Sequence, residues 1–184
     1  MTNLGKWDFA YKGVTTVAPY GDSTAYAAGA VALRDAGCTR VEDWGCGFGW
    51  FAYVARIVAP ALTVVGVDGS QSQQAAFQDD LVTRETQVEG IFMRSVLEHN
   101  YDWDVLLANA LKSFTVRMVL TTFTEFQAGA KDVELQFEDA YQVPTLSLSR
   151  PKLKRLLKGF KVAETEMISP NTYYGVENIF VIDR

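Results

Sequence analysis

Cysteine, histidine and proline are scarce in this chain of 184 residues, which has two Cys, one His and five Pro. Cys38 and Cys46 make neither a disulfide framework nor a metal-binding spacing, so packing rather than staples has to hold the fold. Long apolar runs are also missing: nothing approaches the roughly 20 residues needed to cross a bilayer, and no membrane partner is expected. The first nine residues lack the basic-then-apolar pattern of a secretory leader, and the expectation is a cytoplasmic protein. Positive charge is in deficit, with 17 Lys and Arg against 22 Asp and Glu and a formal net charge of −5. That balance argues against a nucleic-acid partner, which needs clustered cations. The one basic cluster is Arg150, Lys152, Lys154, Arg155, Lys158 and Lys161, where Leu153, Leu156 and Leu157 fall on the opposite helical face. It reads as the solvated side of an amphipathic helix.

What is present is an ordinary globular composition, 48% hydrophobic and 21% charged, in a length that fits a single domain over 1–184. Asp22-Ser23 can cap a helix that Gly37 stops, within an N-terminal cap region of 1–37. A short strand over 39–43 runs directly into glycines, and a helix follows with Phe51, Val54, Ala55 and Val58 on one face, ended by Pro60. A continuous β-rich run over 62–67 predicts a strand buried on both faces, after which Ser70 can cap another helix. Then come a strand over 90–93, a helix over 103–114 opened by Asp102, and a strand over 116–123. A Pro151-started basic helix and two terminal strands over 162–168 and 178–182 complete the order, the strands joined through Ser169-Pro170-Asn171 and Tyr173-Tyr174-Gly175. Alternating strands and helices predict an α/β, Rossmann-like, mostly parallel sheet of six to seven strands with helices on both faces. Two last strands without a helix between them predict an antiparallel C-terminal edge. The polar, acidic stretch 127–142 is an insertion, read either as an exposed hairpin or as a lid that shapes a substrate site.

The chemistry concentrates where the first strand meets its helix, at Asp43-Trp44-Gly45-Cys46-Gly47-Phe48-Gly49. Glycines there permit tight turns and close approach of a ligand, and the helix N-terminus offers free N–H groups. A dinucleotide fingerprint would need glycine at position 50, which is Trp50, and no Gly-Lys-Ser/Thr follows to make a phosphate loop. Asp68 at the end of the second strand, next to Gly69, is placed to accept hydrogen bonds from two ribose hydroxyls. Asp43 can anchor the loop or meet a cationic amino group. Cys46 reads as a small-residue requirement, not a reactive thiol. Asp80 and the Arg94-Ser95 pair also fall at or just past strand ends, which is where ligands sit on such sheets.

These residues resemble those of the Rossmann-like, class I, S-adenosylmethionine-dependent methyltransferases. Val41 to Gly49 is similar to their first motif, D-x-G-x-G-x-G, and Val65-Gly66-Val67-Asp68-Gly69-Ser70 to their second. Asp80-Leu81 is similar to the acid–hydrophobe pair that contacts adenine, with Asp79 an alternative to Asp80. Val96-Leu97-Glu98-His99 resembles a stretch after the fourth strand in small-molecule members. The resemblance implies S-adenosyl-L-methionine as cofactor, held by Asp43, Gly45, Cys46, Gly47, Gly49, Asp68, Gly69, Asp80, Leu81, Arg94 and Ser95. It also implies an N-terminal cover over the cofactor, in which Tyr11 and Tyr20 are candidates. The chain departs from the pattern between Asp68 and Ile91, where too few residues remain for a full helix and a full third strand.

Methyl transfer is an in-line displacement that needs alignment, exclusion of water and, for an oxygen or protonated nitrogen, a general base. His99 is the candidate base, with a structural histidine as the other reading. The aromatics Trp44, Phe48, Trp50 and Tyr26 are read chiefly as packing residues. The Asn/Asp-Pro-Pro-aromatic run of adenine-methylating enzymes is absent, as is a cysteine nucleophile after the fourth strand, so a small molecule is the expected acceptor for O- or N-methylation. The alternatives are a non-catalytic S-adenosylmethionine-binding partner or regulator, and a nicotinamide oxidoreductase, against which Trp50 argues.

Overall fold

The computed structural model describes residues 4–19, 21–169, 172 and 174–184, so Tyr20 and the turn residues Pro170, Asn171 and Tyr173 lie outside the described residues. A short helix α1 (Asp8–Tyr11) precedes α2 (Ser23–Asp35), whose first turn is capped by Asp22 accepting from Thr24 N at 2.8 Å. Then follow β1 (Arg40–Trp44), α3 (Trp50–Val58), β2 (Thr63–Asp68), β3 (Phe77–Gln78) and β4 (Val88–Arg94). A 3-10 turn at Leu97–His99 leads to α4 (Trp103–Ser113), β5 (Phe114–Thr122), β6 (Val133–Glu138), β7 (Val143–Ser147), α5 (Arg150–Leu156), β8 (Lys161–Ile168) and β9 (Val176–Asp183).

Seven strands form one sheet in the order β3-β2-β1-β4-β5-β9-β8. β1 to β5 are parallel; β9 inserts antiparallel between β5 and β8, so the last two strands close that side of the sheet as a hairpin. The order reverses between β1 and β4, and a crevice at their carboxyl ends is the expected consequence. Two apolar layers flank the sheet. One packs Trp103, Leu106 and Leu107 of α4 and Leu153 of α5 against Ile91, Met93 and Leu120; the other packs Ala25, Ala30 and Leu33 of α2 and Phe51 of α3 against Phe92 and Val119. Alternate residues of β4 and β5 therefore serve opposite layers, as the two-fold strand period requires.

Two local expectations change, and the 127–142 stretch takes a definite form. The helix anticipated after Ser70 does not form: residues 69–76 are a loop, and β3 is only two residues long. The shortage of chain before Ile91 is met by giving up that helix. The Ser70 hydroxyl, free of a capping role, accepts from Trp7 N at 2.8 Å. The 127–142 insertion contains β6, which pairs with β7 as an antiparallel hairpin. In the basic cluster, Arg150 and Lys152 are drawn into the fold: Arg150 lies over Phe126 at 4.9 Å, and Lys152 pairs with Asp132 at 2.9 Å. Lys154, Arg155 and Lys158 stay exposed. Among the described residues no helix is long and apolar enough to cross a membrane.

Candidate active site

A cavity of about 460 Å³ opens at the carboxyl ends of β1, β2 and β4. Its floor is the glycine turn. Gly45, Gly47 and Gly49 all have left-handed backbones (φ 78°, 47° and 75°), and Gly45 N and Cys46 N donate to Val67 O at 2.8 and 3.1 Å, lashing the turn to β2. A Cβ at position 45 would overlap the Val96 side chain, and one at position 47 would stand 3.1 Å from the Tyr11 hydroxyl. The turn thus brings main chain where no side chain fits, leaving room for a ligand above it. Cys46 is buried, and burial together with Asp43 and Asp68 raises its thiol far above the ordinary range, so it serves by size and not by thiolate chemistry.

Asp68 ends β2 beside the turn. Its two oxygens accept from Gly47 N at 2.8 Å and Ser70 N at 2.9 Å. Burial nevertheless pushes its carboxyl up to about 6, the two N–H groups pulling the other way. Asp43, one strand further in, is raised well above the carboxylate range by burial and by the charge of Asp68. Arg84 grips Asp79 at 2.7 Å and Glu42 at 2.9 and 2.8 Å, so Asp79 is engaged in an ion pair. Leu81, directly after Asp80, lines the cavity.

The N-terminal segment covers one side. Gly5 N donates to Gly69 O at 2.7 Å and Gln71 N to Asp8 Oδ1 at 2.7 Å, so this segment is tied to the loop after β2. Lys6 donates to Asn100 Oδ1 at 3.0 Å; burial lowers its pKa, opposed by Asp102 and Asp80. On the other side, β4 ends in Arg94, which is buried in an ion pair with Glu177 and donates to the Tyr26 hydroxyl at 2.7 Å. Ser95 follows with φ 56°, a strained backbone in a residue with a Cβ, at the cavity wall.

His99 lies beyond. Its Nδ1 is 2.9 Å from Pro144 O of the hairpin. A carbonyl only accepts, so Nδ1 carries the proton and Nε2 keeps a lone pair. Burial lowers the imidazole pKa to about 4, the Pro144 contact working against the shift and Lys6 with it. The ring stands edge-on to Trp7 (5.1 Å) and tilted against Phe123 (5.5 Å). Trp7 in turn stacks on Tyr141 of the hairpin at 4.7 Å. Glu98 beside it accepts from Phe123 N at 2.9 Å, and burial raises its carboxyl to about 7.

The cavity brings together Tyr11, Gly45, Cys46, Gly47, Asp68, Gly69, Leu81, Arg94, Ser95 and His99 of the expected residues. Asp43 does not line it, because it lies buried beneath the turn; Gly49 caps α3 with its Cα facing Gln74; and the Asp80 carboxylate turns back to accept from Val82 N at 3.0 Å. Tyr20 lies outside the described residues. Lys6, Trp7, Phe123, Glu138, Tyr141 and Thr145 also line the cavity and were not singled out from the sequence. The only sequence signal among them was the flagged insertion, which contributes Glu138 and Tyr141.

The fold and the strand-end site define the class: this is the Rossmann-like fold of class I methyltransferases. Solved structures of similar shape include the N-terminal domain of EvdMO1, determined in the presence of SAH and D-fucose, at 18% identity and TM-score 0.61 over 89% of this chain and 84% of that one. The 1,6-didemethyltoxoflavin-N1-methyltransferase of Burkholderia thailandensis, bound to its namesake and S-adenosylhomocysteine, matches at 17% identity and TM-score 0.63 over 89% and 79%. The magnesium protoporphyrin IX methyltransferase of Synechocystis PCC 6803 with bound SAM matches at 17% and 0.60 over 86% and 76%. No protein-family profile and no curated protein sequence matches the chain.

Proposed function

We propose that the chain is an S-adenosyl-L-methionine-dependent methyltransferase that methylates an oxygen or nitrogen of a small molecule in the cytoplasm. The observation that carries this is the convergence, in one cavity, of the glycine turn, the Asp68 carboxylate, the apolar Leu81 wall and the His99 ring. The similar structures solved with SAM or SAH support the same cofactor. The residues fit it. A cradle that a Cβ would fill faces the methionine end, an acid at the end of β2 with lone pairs to spare suits vicinal ribose hydroxyls, and the apolar Leu81 wall suits the adenine.

When bound, this cofactor supplies an electrophilic methyl group on a sulfonium. Asp68 acts ionised, so it binds donor best above its pKa of about 6. Asp43, whose carboxyl pKa is raised by burial and by the charge of Asp68, stands buried in β1 just before the turn. Gly45, Cys46, Gly47 and Gly69 supply backbone, Arg94 and Ser95 form the wall beside it, and Tyr11 belongs to the N-terminal cover. His99 presents Nε2 as an acceptor for the proton of the attacking hydroxyl or amine, while Pro144 holds the ring in the required tautomer. Trp7, Tyr141 and Phe123 exclude water around it.

Calorimetric titration with S-adenosylmethionine, S-adenosylhomocysteine and NAD tests the reading. Micromolar binding of both sulfur nucleosides and none of NAD is expected; absence of sulfur-nucleoside binding refutes it. Tight binding without turnover on any acceptor would favour a non-catalytic partner or regulator instead.

A further inference from the structure

In β6 the alternate residues Gln136 and Glu138 line the pocket, Glu138 being the half-buried one, while Glu134 takes a hydrogen bond from the Tyr101 hydroxyl; Val133, Leu135 and Phe137 lie on the other face and are exposed.

The charges around the cavity show what is missing. Arg94 is balanced by Glu177, and Lys6 is turned to Asn100 within the field of Asp102 and Asp80. Asp68 accepts from two backbone N–H groups and keeps its remaining lone pairs for the donor end of the cavity. Glu138 receives only the amide of Gln136, and among the described residues no cation pairs with it. The same cavity is lined by aromatic rings: Trp7 stacked with Tyr141, and Phe123 with Tyr174 at 5.8 Å, with His99 in ring contact with both Trp7 and Phe123. A carboxylate without a cation in a cavity that also presents ring faces with negative quadrupoles suits a cationic ligand.

We propose that the methyl acceptor is an aromatic amine: a flat ring bearing the accepting hydroxyl or ring nitrogen at one end, presented to His99, and a protonated amino group at the other, facing Glu138. The proposal rests on the donor reading above. The ring packs against Trp7 and Phe123, and the ammonium supplies the counter-charge that the protein itself does not. In the transfer, the acceptor oxygen forms the new C–O bond as the sulfonium C–S bond breaks; its proton passes to His99 Nε2, and S-adenosylhomocysteine leaves neutral at sulfur.

The test uses the full chain loaded with S-adenosylhomocysteine and three phenols of equal ring size: tyramine, 4-hydroxyphenylacetate and p-cresol. Calorimetry is expected to show tyramine binding at least ten-fold tighter than the acid and several-fold tighter than p-cresol. Glu138→Gln should collapse the amine preference to within about two-fold, and its affinity for S-adenosylhomocysteine reports whether the donor site is intact. Equal affinities, a preference for the acid, or no binding of tyramine at millimolar concentration to the loaded protein overturns the proposal while leaving the donor reading untouched. Failure of the wild-type chain to bind S-adenosylhomocysteine overturns the donor reading, and the acceptor proposal with it.

Discussion

Replacing His99 by Asn gives a measurement in which the geometry predicts both sign and size. Asn can place its Nδ2–H where Nδ1–H donates to Pro144, so the hairpin contact survives while the titrating ring goes. In the folded chain the imidazole pKa falls from 6.5 to about 4 because the ring is buried. Above pH 6.5 the ring is neutral in both the folded and unfolded chain and contributes no pH dependence. Between 6.5 and about 4 the unfolded chain holds a proton that the folded chain does not, so stability is lost as pH falls. The loss is about 1.4 kcal/mol per pH unit, or about 2 kcal/mol between pH 6.5 and 5. Asp68 and Glu98 titrate in the same range with raised pKa values and act in the opposite direction, so the wild-type curve alone does not isolate the effect. The difference between wild type and His99→Asn does. Urea unfolding at a series of pH values should show the wild-type advantage shrinking by about 2 kcal/mol over that span. Parallel curves would refute the buried neutral imidazole, and with it the assignment of Nε2 as a standing acceptor.

Donor binding should follow Asp68. Below about pH 6 its protonation should weaken S-adenosylhomocysteine about ten-fold per pH unit, and Asp68→Asn should bind more weakly and lose that slope, as read by calorimetry. Arg94→Met strands Glu177 in a buried site and should cost about 3–5 kcal/mol in denaturant unfolding, whereas the double variant Arg94→Met/Glu177→Met should cost much less than the sum of the singles. Gly45→Ala forces an L side chain into a left-handed backbone, at about 1–2 kcal/mol, and into Val96 as well; adding Val96→Ala should recover the steric part of the lost thermal stability but not the backbone part.

The alternation of apolar runs with capped, glycine-stopped segments was enough to predict β1, β2, β4, β5, β8 and β9 and the helices α2 to α5, because burial on both faces of a parallel sheet writes itself into composition. The same holds for the turn at Gly45 to Gly49, where backbone geometry demands a residue type, and for the place of Asp68 at a strand end. The missing helix after Ser70 was not legible from its cap alone. A local start signal does not make a helix when the loop can instead bond to Trp7 and Asp8 from elsewhere in the chain. The ion pair of Asp79 with Arg84 was not legible in advance, and the tautomer of His99 waited on Pro144, 45 positions further along the chain. The cavity wall around His99 draws on Trp7, His99, Phe123, Glu138 and Tyr141, five positions on four separate segments with no common spacing. The sequence by itself determined the alternating strands and helices of a mostly parallel sheet and the glycine turn after its first strand, since these depend on residues close together in the chain. Only the tertiary structure decided what surrounds His99 and which charge there lacks a partner, because burial, ring contacts and counter-ions belong to pairs of residues brought together by folding.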